Sequence, residues 1–246
     1  MTDPDGLLEL FDVAARAVRD AVTGIDPSEL RARTDRAGQY ALDLVADIAA
    51  CAVLEKAGLR ILSEESGMTG PKTDVTLVLD PVDGSTNCAR GISYWCTSVC
   101  AVDRDGAVAA LVANHAAGVV TTAVRGRGAY RDGVRIHAAQ TTRIADSVVA
   151  LGGWPRNPIR AKQARVLGSI ALELCDVAAG GLDAHVDATS FVAPWDYLGG
   201  YLACLEAGAT VRDASGADLV TVEPNARRQV IAAATTELAD ALQAEL

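Results

Sequence analysis

The sequence predicts an α+β fold in which helix pairs flank β-sheets. Three observations carry that expectation: helical periodicity near the two ends, a succession of short β-rich segments between them, and a length of 246 residues of which 50% are apolar. That apolar stock is enough for a substantial core, as one large domain or as two tightly joined halves. In chain order, Leu7, Leu8, Phe11, Ala14, Val18 and Val22 recur at helical spacing and predict a helix over 7–22. A second helix is expected over 43–57. Strands follow at 76–80, 97–102, 108–114 and 119–124, and RDG at 131–133 predicts a hairpin turn. Helices are expected over 167–179 and 195–207, then a strand over 230–234 and a C-terminal helix. The sequence carries no repeat, low-complexity tract or long linker.

The densest chemistry lies in DPVDGSTN, residues 80–87, which follows directly on the strand-like run TLVLD. Asp80 and Asp83 emerge where that apolar run ends. Pro81 fixes its own backbone and denies helix to Asp80, while Gly84 allows a sharp turn that brings N–H groups close to a ligand. A helix starting near Ser85 would turn its first unpaired N–H groups towards an anion, just where the two aspartates hold hard divalent cations. Carboxylates alone would repel a phosphate. The same residue types also suit an Asx turn capping a helix, but two further segments weigh against that alternative. ILSEESG places Glu64 and Glu65 after another short apolar stretch, and PWDYLGG places Asp196 behind Pro194 and Trp195. Each acid alone fits a solvated turn or a helix start.

In this order, the Glu-Glu pair, DPVDG followed by Ser and Thr, and WD opening a helix resemble the inositol monophosphatase family of magnesium-dependent, lithium-sensitive phosphatases. GRGAYRDGVRI at 126–136 is similar to the family's hairpin and LGSIALELCDVAAGGLDA at 167–184 to its later helix. The resemblance therefore spans nearly the whole chain, as one catalytic domain over 1–246 with an N-terminal α+β half to about residue 140 and a C-terminal α/β half from about 141. It implies alternating layers of helices and sheets, αβαβα, as in fructose-1,6-bisphosphatase.

Charge dictates the mechanism such a site would use. Attack of water on a phosphate monoester concentrates negative charge on the nucleophile and on the leaving alkoxide. Two or three Mg²⁺ ions, with Mn²⁺ as a substitute, answer both problems; paired ions stand about 3.5–4 Å apart. Asp80 is placed to bridge them, with Glu64, Asp83, Asp196 and the Val82 carbonyl completing the ligands. The N–H groups of Gly84, Ser85 and Thr86 would hold the remaining phosphate oxygens. By resemblance, Glu64 and the Ser85 hydroxyl orient and deprotonate the attacking water. Glu65 either bonds a water of the metal site or lies in a surface turn. Asp43 matches an acid near the family's optional third metal, or caps a helix. Arg31, Arg33 and Arg36 compete for the place of a basic residue that usually precedes it.

Substrate choice rests on fewer residues. Asp187 is the nearest match to an acid that contacts substrate hydroxyls in the family, and otherwise a strand-end turn acid. Ser169 and Ile170 are expected to line the same pocket. Inositol 1-phosphate or a related polyol phosphate is the leading substrate. Relatives with the same three motifs cleave histidinol phosphate, 3'-phosphoadenosine 5'-phosphate and fructose 1,6-bisphosphate, which stand as alternatives. With two Phe, three Trp and five Tyr, the chain has little stock for an adenine-binding surface, which favours polyols. A catalytically silent metal or phosphate sensor that binds a partner protein would be expected to lack one of Glu64, Asp80, Asp83, Ser85 or Asp196, and all five are present.

A net charge of −10 argues against nucleic acid or an anionic membrane as partner. The N-terminus has neither a basic n-region nor an apolar h-region, and the apolar stretch at 44–59 is broken by Asp47, Glu55 and Lys56, so a cytoplasmic enzyme is expected. The resemblance implies a homodimer. Of six cysteines, none lies in a CxxC, and most read as small buried hydrophobes; Cys88, next to the phosphate loop, is either one more of these or a thiol exposed to oxidation or soft metals. His115, His137 and His185 share no zinc-ligand spacing.

Overall fold

The computed structural model describes residues 3–246. Helix α1 (Pro4–Thr23) starts at Asp3, whose carboxylate accepts the Gly6 N–H at 3.3 Å, and it buries Leu7, Phe11, Ala14, Val18 and Val22 as the periodicity predicts. It pairs with α2 (Ala41–Leu54). The predicted second helix ran to residue 57; its last three residues form a 3₁₀ turn that Gly58 ends in the left-handed region, at φ 65°.

The first sheet has eight strands: β1 (Arg60–Ser63), β2 (Gly67–Thr69), β3 (Thr76–Asp83), β4 (Cys96–Asp103), β5 (Gly106–Asn114), β6 (Val119–Val124), β7 (Gly128–Arg131) and β8 (Val134–Arg135). Their order is β2-β1-β3-β4-β5-β6-β7-β8, antiparallel throughout except for the parallel pair β1 and β3. Short helix α3 (Ser85–Arg90) follows β3. The second sheet takes β9 (Val148–Gly152), β10 (Gln163–Arg165), β11 (Ala184–Asp187), β12 (Thr210–Asp213) and β13 (Val230–Ala233) in the order β10-β9-β11-β13-β12. The chain thus passes between sheets near residue 140. Helices α4 (Ile170–Ala178), α5 (Pro194–Glu206) and α6 (Thr236–Gln243) complete the fold.

The side-chain alternation of the strands divides the core into three and so stacks the layers. Leu77 and Leu79 of β3 face α1 and α2, packing with Phe11, Val18 and Leu42. Val78 points to the opposite face, into a core shared with Leu174 of α4, Leu198 of α5 and Ala150 and Ala232 of the second sheet. Val149, Val186 and Ile231 point away from that core and are covered by Leu238 and Leu242 of α6. The result is the αβαβα arrangement. Burying each such Leu contributes about 2 kcal/mol, which is why a strand cannot slip by one residue without exposing a whole row.

Helix α5 approaches closely because Gly199 and Gly200 carry no side chain: a Cβ on them would meet Ser98 Oγ and Leu174 Cβ, each at 2.4 Å. That contact seats the N-terminus of α5 beside the end of β3. Two further boundaries, both beside the site, differ from expectation. β3 continues past Pro81 to Asp83, its pairing with β4 irregular between Asp80 and Asp83, as fits a residue with no N–H to give the ladder. Helix α4 begins at Ile170 instead of 167, because Gly168 is left-handed at φ 84° and Ser169 is extended. No helix among the described residues is long and apolar enough to cross a membrane.

Candidate metal and phosphate site

The DPVDGSTN segment is held rigidly from several sides. Asp80 Oδ1 accepts the Val82 N–H at 3.0 Å, and Thr97 Oγ1 donates to the Pro81 carbonyl at 2.8 Å. Thr97 is itself 2.8 Å from Nε2 of His115, whose pKa burial pushes down to about 4, so this imidazole is neutral. Gly84 turns the chain at φ 89°, and a Cβ there would lie 3.0 Å from the Tyr94 carbonyl and 3.1 Å from the Gly168 carbonyl. Asn87 Nδ2 donates to the carbonyls of Tyr94 and Leu167, both at 2.8 Å, tying α3 to the loop before α4. Gly84, Ser85 and Thr86 form the start of α3 and are at least partly open to solvent.

Acids from three elements converge on this turn. Glu64 lies just beyond β1, its N–H donating to the Leu79 carbonyl of β3 at 3.1 Å, which fixes the two strand ends side by side. Asp196 occupies the first turn of α5 behind Pro194, and its Oδ2 accepts the Ala193 N–H at 2.7 Å. Glu64, Asp80 and Asp196 each offer an oxygen within 4.8 Å of the others. Asp83 stands beside this trio, its Oδ2 accepting from Ser169 Oγ and the Ala171 N–H, each at 2.7 Å.

Burial, reinforced by mutual repulsion, raises these carboxyls far above their usual range. Glu64 is pushed up to about 8, chiefly by burial and then by Asp196 and Glu65. Asp196 is pushed up to about 7 by burial and Asp83, Asp83 to about 6 by burial, and Asp80 well upward by burial and its acidic neighbours. No Arg or Lys forms an ion pair with any of the four among the described residues. Hard oxygen donors converging without an ion-paired Arg or Lys among the described residues fit divalent cations such as Mg²⁺.

The surrounding residues are placed as follows. Glu65 lies inward, its side chain 6% exposed, accepting from Arg36 at 3.2 Å and from Gln39 Nε2. Arg36 is thus the arginine that reaches the acidic pair, while Arg33 stacks over the Tyr40 ring at 3.5 Å. Asp43 Oδ2 accepts the Tyr40 N–H at 2.8 Å; Oδ1 is buried without a partner, and burial lifts the pKa to about 7. Asp187 is 1% exposed, and its carboxylate accepts from Thr189 N, Thr189 Oγ1 and Ser190 N at 3.0, 2.7 and 2.8 Å. It therefore ties down its own turn, as a strand-end acid does. Ile170 is half-buried and Ser169 is buried against Asp83.

Cys88 follows the buried reading: it is 6% exposed and burial pushes its thiol up to about 12, so it presents no thiolate beside the loop. Sequence reasoning missed Asn87, Thr97 and Glu173 as supports of the loop. Glu173 carried a usable signal, a charge within the apolar stretch IALELC.

Comparison with known proteins returns one family. The model of the Inositol monophosphatase family matches residues 41–246. A fructose-1,6-bisphosphatase from Pyrococcus furiosus is 32% identical over 184 residues, covering 74% of this chain and 72% of that protein. Inositol monophosphatase 2 from Solanum lycopersicum is 32% identical over 181 residues, covering 68% and 66% respectively. Among solved structures, a Pyrococcus horikoshii protein described as having similarities to inositol-1 monophosphatase superposes with a TM-score of 0.90 at 25% identity, covering 99% of each chain.

Proposed function

Because the chain belongs to the inositol monophosphatase family, whose members are phosphatases, we propose that it is a Mg²⁺-dependent hydrolase of small polyol or sugar phosphate monoesters, with inositol 1-phosphate the leading substrate. The observation that carries this reading is the convergence of Glu64, Asp80 and Asp196 within 4.8 Å of one another. These three, with Asp83 and the Val82 carbonyl, would hold two or three Mg²⁺ ions. Bound there, the ions would offset the phosphate's charge and make a water more acidic.

The chain's own groups then divide the work. The N–H groups of Gly84, Ser85 and Thr86 hold phosphate oxygens at the start of α3, where the helix leaves them unpaired. Glu64 accepts a proton from the attacking water, and the Ser85 hydroxyl orients that water. Asp187 fixes the first turn of the wall 188–193, and its carboxylate keeps acceptor capacity for a substrate hydroxyl. The reading includes Mn²⁺ as a substitute, inhibition by Li⁺, a homodimer in the cytoplasm and a single catalytic domain over 1–246.

A second reading, a phosphate ester bearing a planar ring such as histidinol phosphate or 3'-phosphoadenosine 5'-phosphate, has one observation in its favour. Trp154 and Phe191 are 81% and 76% exposed on the loops that follow the paired ends of β9 and β11. Phe191 lies five residues before Asp196. Phosphate release from inositol 1-phosphate, histidinol phosphate, 3'-phosphoadenosine 5'-phosphate and fructose 1,6-bisphosphate, each with Mg²⁺, with a chelator and with Li⁺, tests both readings. A preferred polyol ester supports the first and a preferred ring-bearing ester the second. Hydrolysis that persists with the chelator would contradict both.

A further inference from the structure

The interior of the second half holds a hydrogen-bonded Glu–His couple that the proposed chemistry does not use. Glu173 of α4 and His185 of β11 are 2% and 0% exposed, with Glu173 Oε2 2.6 Å from His185 Nδ1. The other carboxylate oxygen, Oε1, accepts the N–H groups of Leu167 and Gly168 at 3.2 and 3.1 Å. Nε2 of His185 is buried and has no partner. Such a couple is a poor way to stabilise a core, because removing two polar groups from water costs about as much as their attraction returns. Its other contacts point instead to a role in placing something.

What it places is the loop 167–169, which touches the phosphate segment at three points. The Leu167 carbonyl accepts from Asn87 Nδ2 at 2.8 Å. The Gly168 carbonyl lies 3.1 Å from where a Cβ on Gly84 would stand. Ser169 Oγ donates to Asp83 Oδ2 at 2.7 Å. Glu173 grips the same loop from behind through its two N–H groups, so the loop is held between β11 of the second sheet and the end of β3 in the first.

We infer that Glu173, locked by His185, is a positioning residue that sets Asp83 and the turn at Gly84 through the loop 167–169. The inference rests on the reading of Asp83 and Gly84 as parts of the catalytic site. Glu173→Gln retains an oxygen for the two N–H groups and an amide that can donate to Nδ1 of the other imidazole tautomer. Glu173→Leu retains the bulk and loses both.

The test compares the full-length wild type with both variants by hydrogen exchange read by mass spectrometry, and by phosphate-release kinetics at saturating Mg²⁺, normalised to folded protein. In Glu173→Leu, faster exchange is expected in the segments 84–91 and 167–169 but not in α1 and α2. kcat should fall about tenfold or more with a smaller change in KM, the signature of a displaced catalytic group. Glu173→Gln should stay within about threefold of wild type, as for a retained hydrogen bond. Unchanged exchange in 84–91 in Glu173→Leu, or an equal loss in both variants, would overturn the inference. If Glu173→Leu does not fold, His185→Phe, which removes the lock and keeps the ring, carries the same comparison. A wild type that releases no phosphate would instead count against the proposed function, and the exchange data would still decide the positioning role.

Discussion

Replacing Gly84 by alanine tests the tightest joint of the site. The backbone there has φ 89° and ψ 35°, and a Cβ would lie 3.0 Å from the Tyr94 carbonyl, 3.1 Å from the Gly168 carbonyl and 3.3 Å from Ser169 Cβ. The left-handed conformation costs an L-residue about 1–2 kcal/mol. The three contacts involve two backbone oxygens that cannot rotate away, so the neighbours must shift by a few tenths of an ångström at a further cost of about 1–3 kcal/mol. Together the substitution is expected to destabilise by about 2–5 kcal/mol. Gly91, which ends the same helix at φ 71° with nothing within 4 Å of its Cβ position, supplies the control, because Gly91→Ala carries the conformational term alone. Urea unfolding followed by tryptophan fluorescence gives the stabilities, and phosphate release at saturating Mg²⁺ gives kcat. Gly84→Ala should unfold at clearly lower urea than Gly91→Ala and lose about a hundredfold in kcat, since the N–H groups of the turn move with it. Equal midpoints and equal activities in the two variants would refute the packing argument.

Other consequences can be checked separately. Glu64→Gln should lower kcat by about two orders of magnitude with little change in KM, since a general base acts in the transition state; a change confined to KM would remove Glu64 from that role. In protein freed of divalent cations, burial pushes Glu64 up to about 8 and Asp196 up to about 7, well above an ordinary carboxylate. The folded chain then binds protons that the unfolded chain has released, so stability should fall as pH rises from about 4.5 to about 8, and excess Mg²⁺ should abolish the fall. Melting temperatures across that range, with and without Mg²⁺, measure it, and a rise with pH in the cation-free protein would contradict the repulsion argument. Tyr197→Phe, which removes the buried hydroxyl donating to the Leu219 carbonyl at 2.6 Å, should cost about 1–3 kcal/mol by chemical unfolding and leave Mg²⁺ affinity unchanged.

What the sequence disclosed was local in kind. Helix α1 follows from the spacing of six apolar residues, and the acids at 64, 80, 83 and 196 follow from short runs whose ends are marked by Pro, Gly or Trp. Several strands have no sequence signal, β9, β10 and β12 among them, for physical reasons. VVALG at 148–152 is a short apolar run with no alternation, QAR at 163–165 is an exposed edge strand, and TVRD at 210–213 is only partly buried. The start of α4 differs because Leu167 and Ile170 fit helical spacing, whereas Gly168 between them is left-handed and the loop is tied to Glu173 and Asp83. Partners separated by 86 residues, as Ser169 and Asp83 are, leave no mark in local pattern. Asp187 could be found from its position but not its engagement, since the three donors that occupy its carboxylate come from the turn geometry.

The central claim is that the carboxylates at the end of β3 and the start of α5 hold the cation on which hydrolysis depends. Titration of metal-depleted protein with Mg²⁺ by calorimetry, in parallel for wild type, Asp80→Asn and Asp196→Asn, with phosphate release measured on the same samples, tests it most directly. Saturable Mg²⁺ binding by the wild type, lost together with phosphate release in both folded variants, is the expected result. Undiminished Mg²⁺ binding in either variant, or phosphate release that survives the loss of binding, would contradict the account.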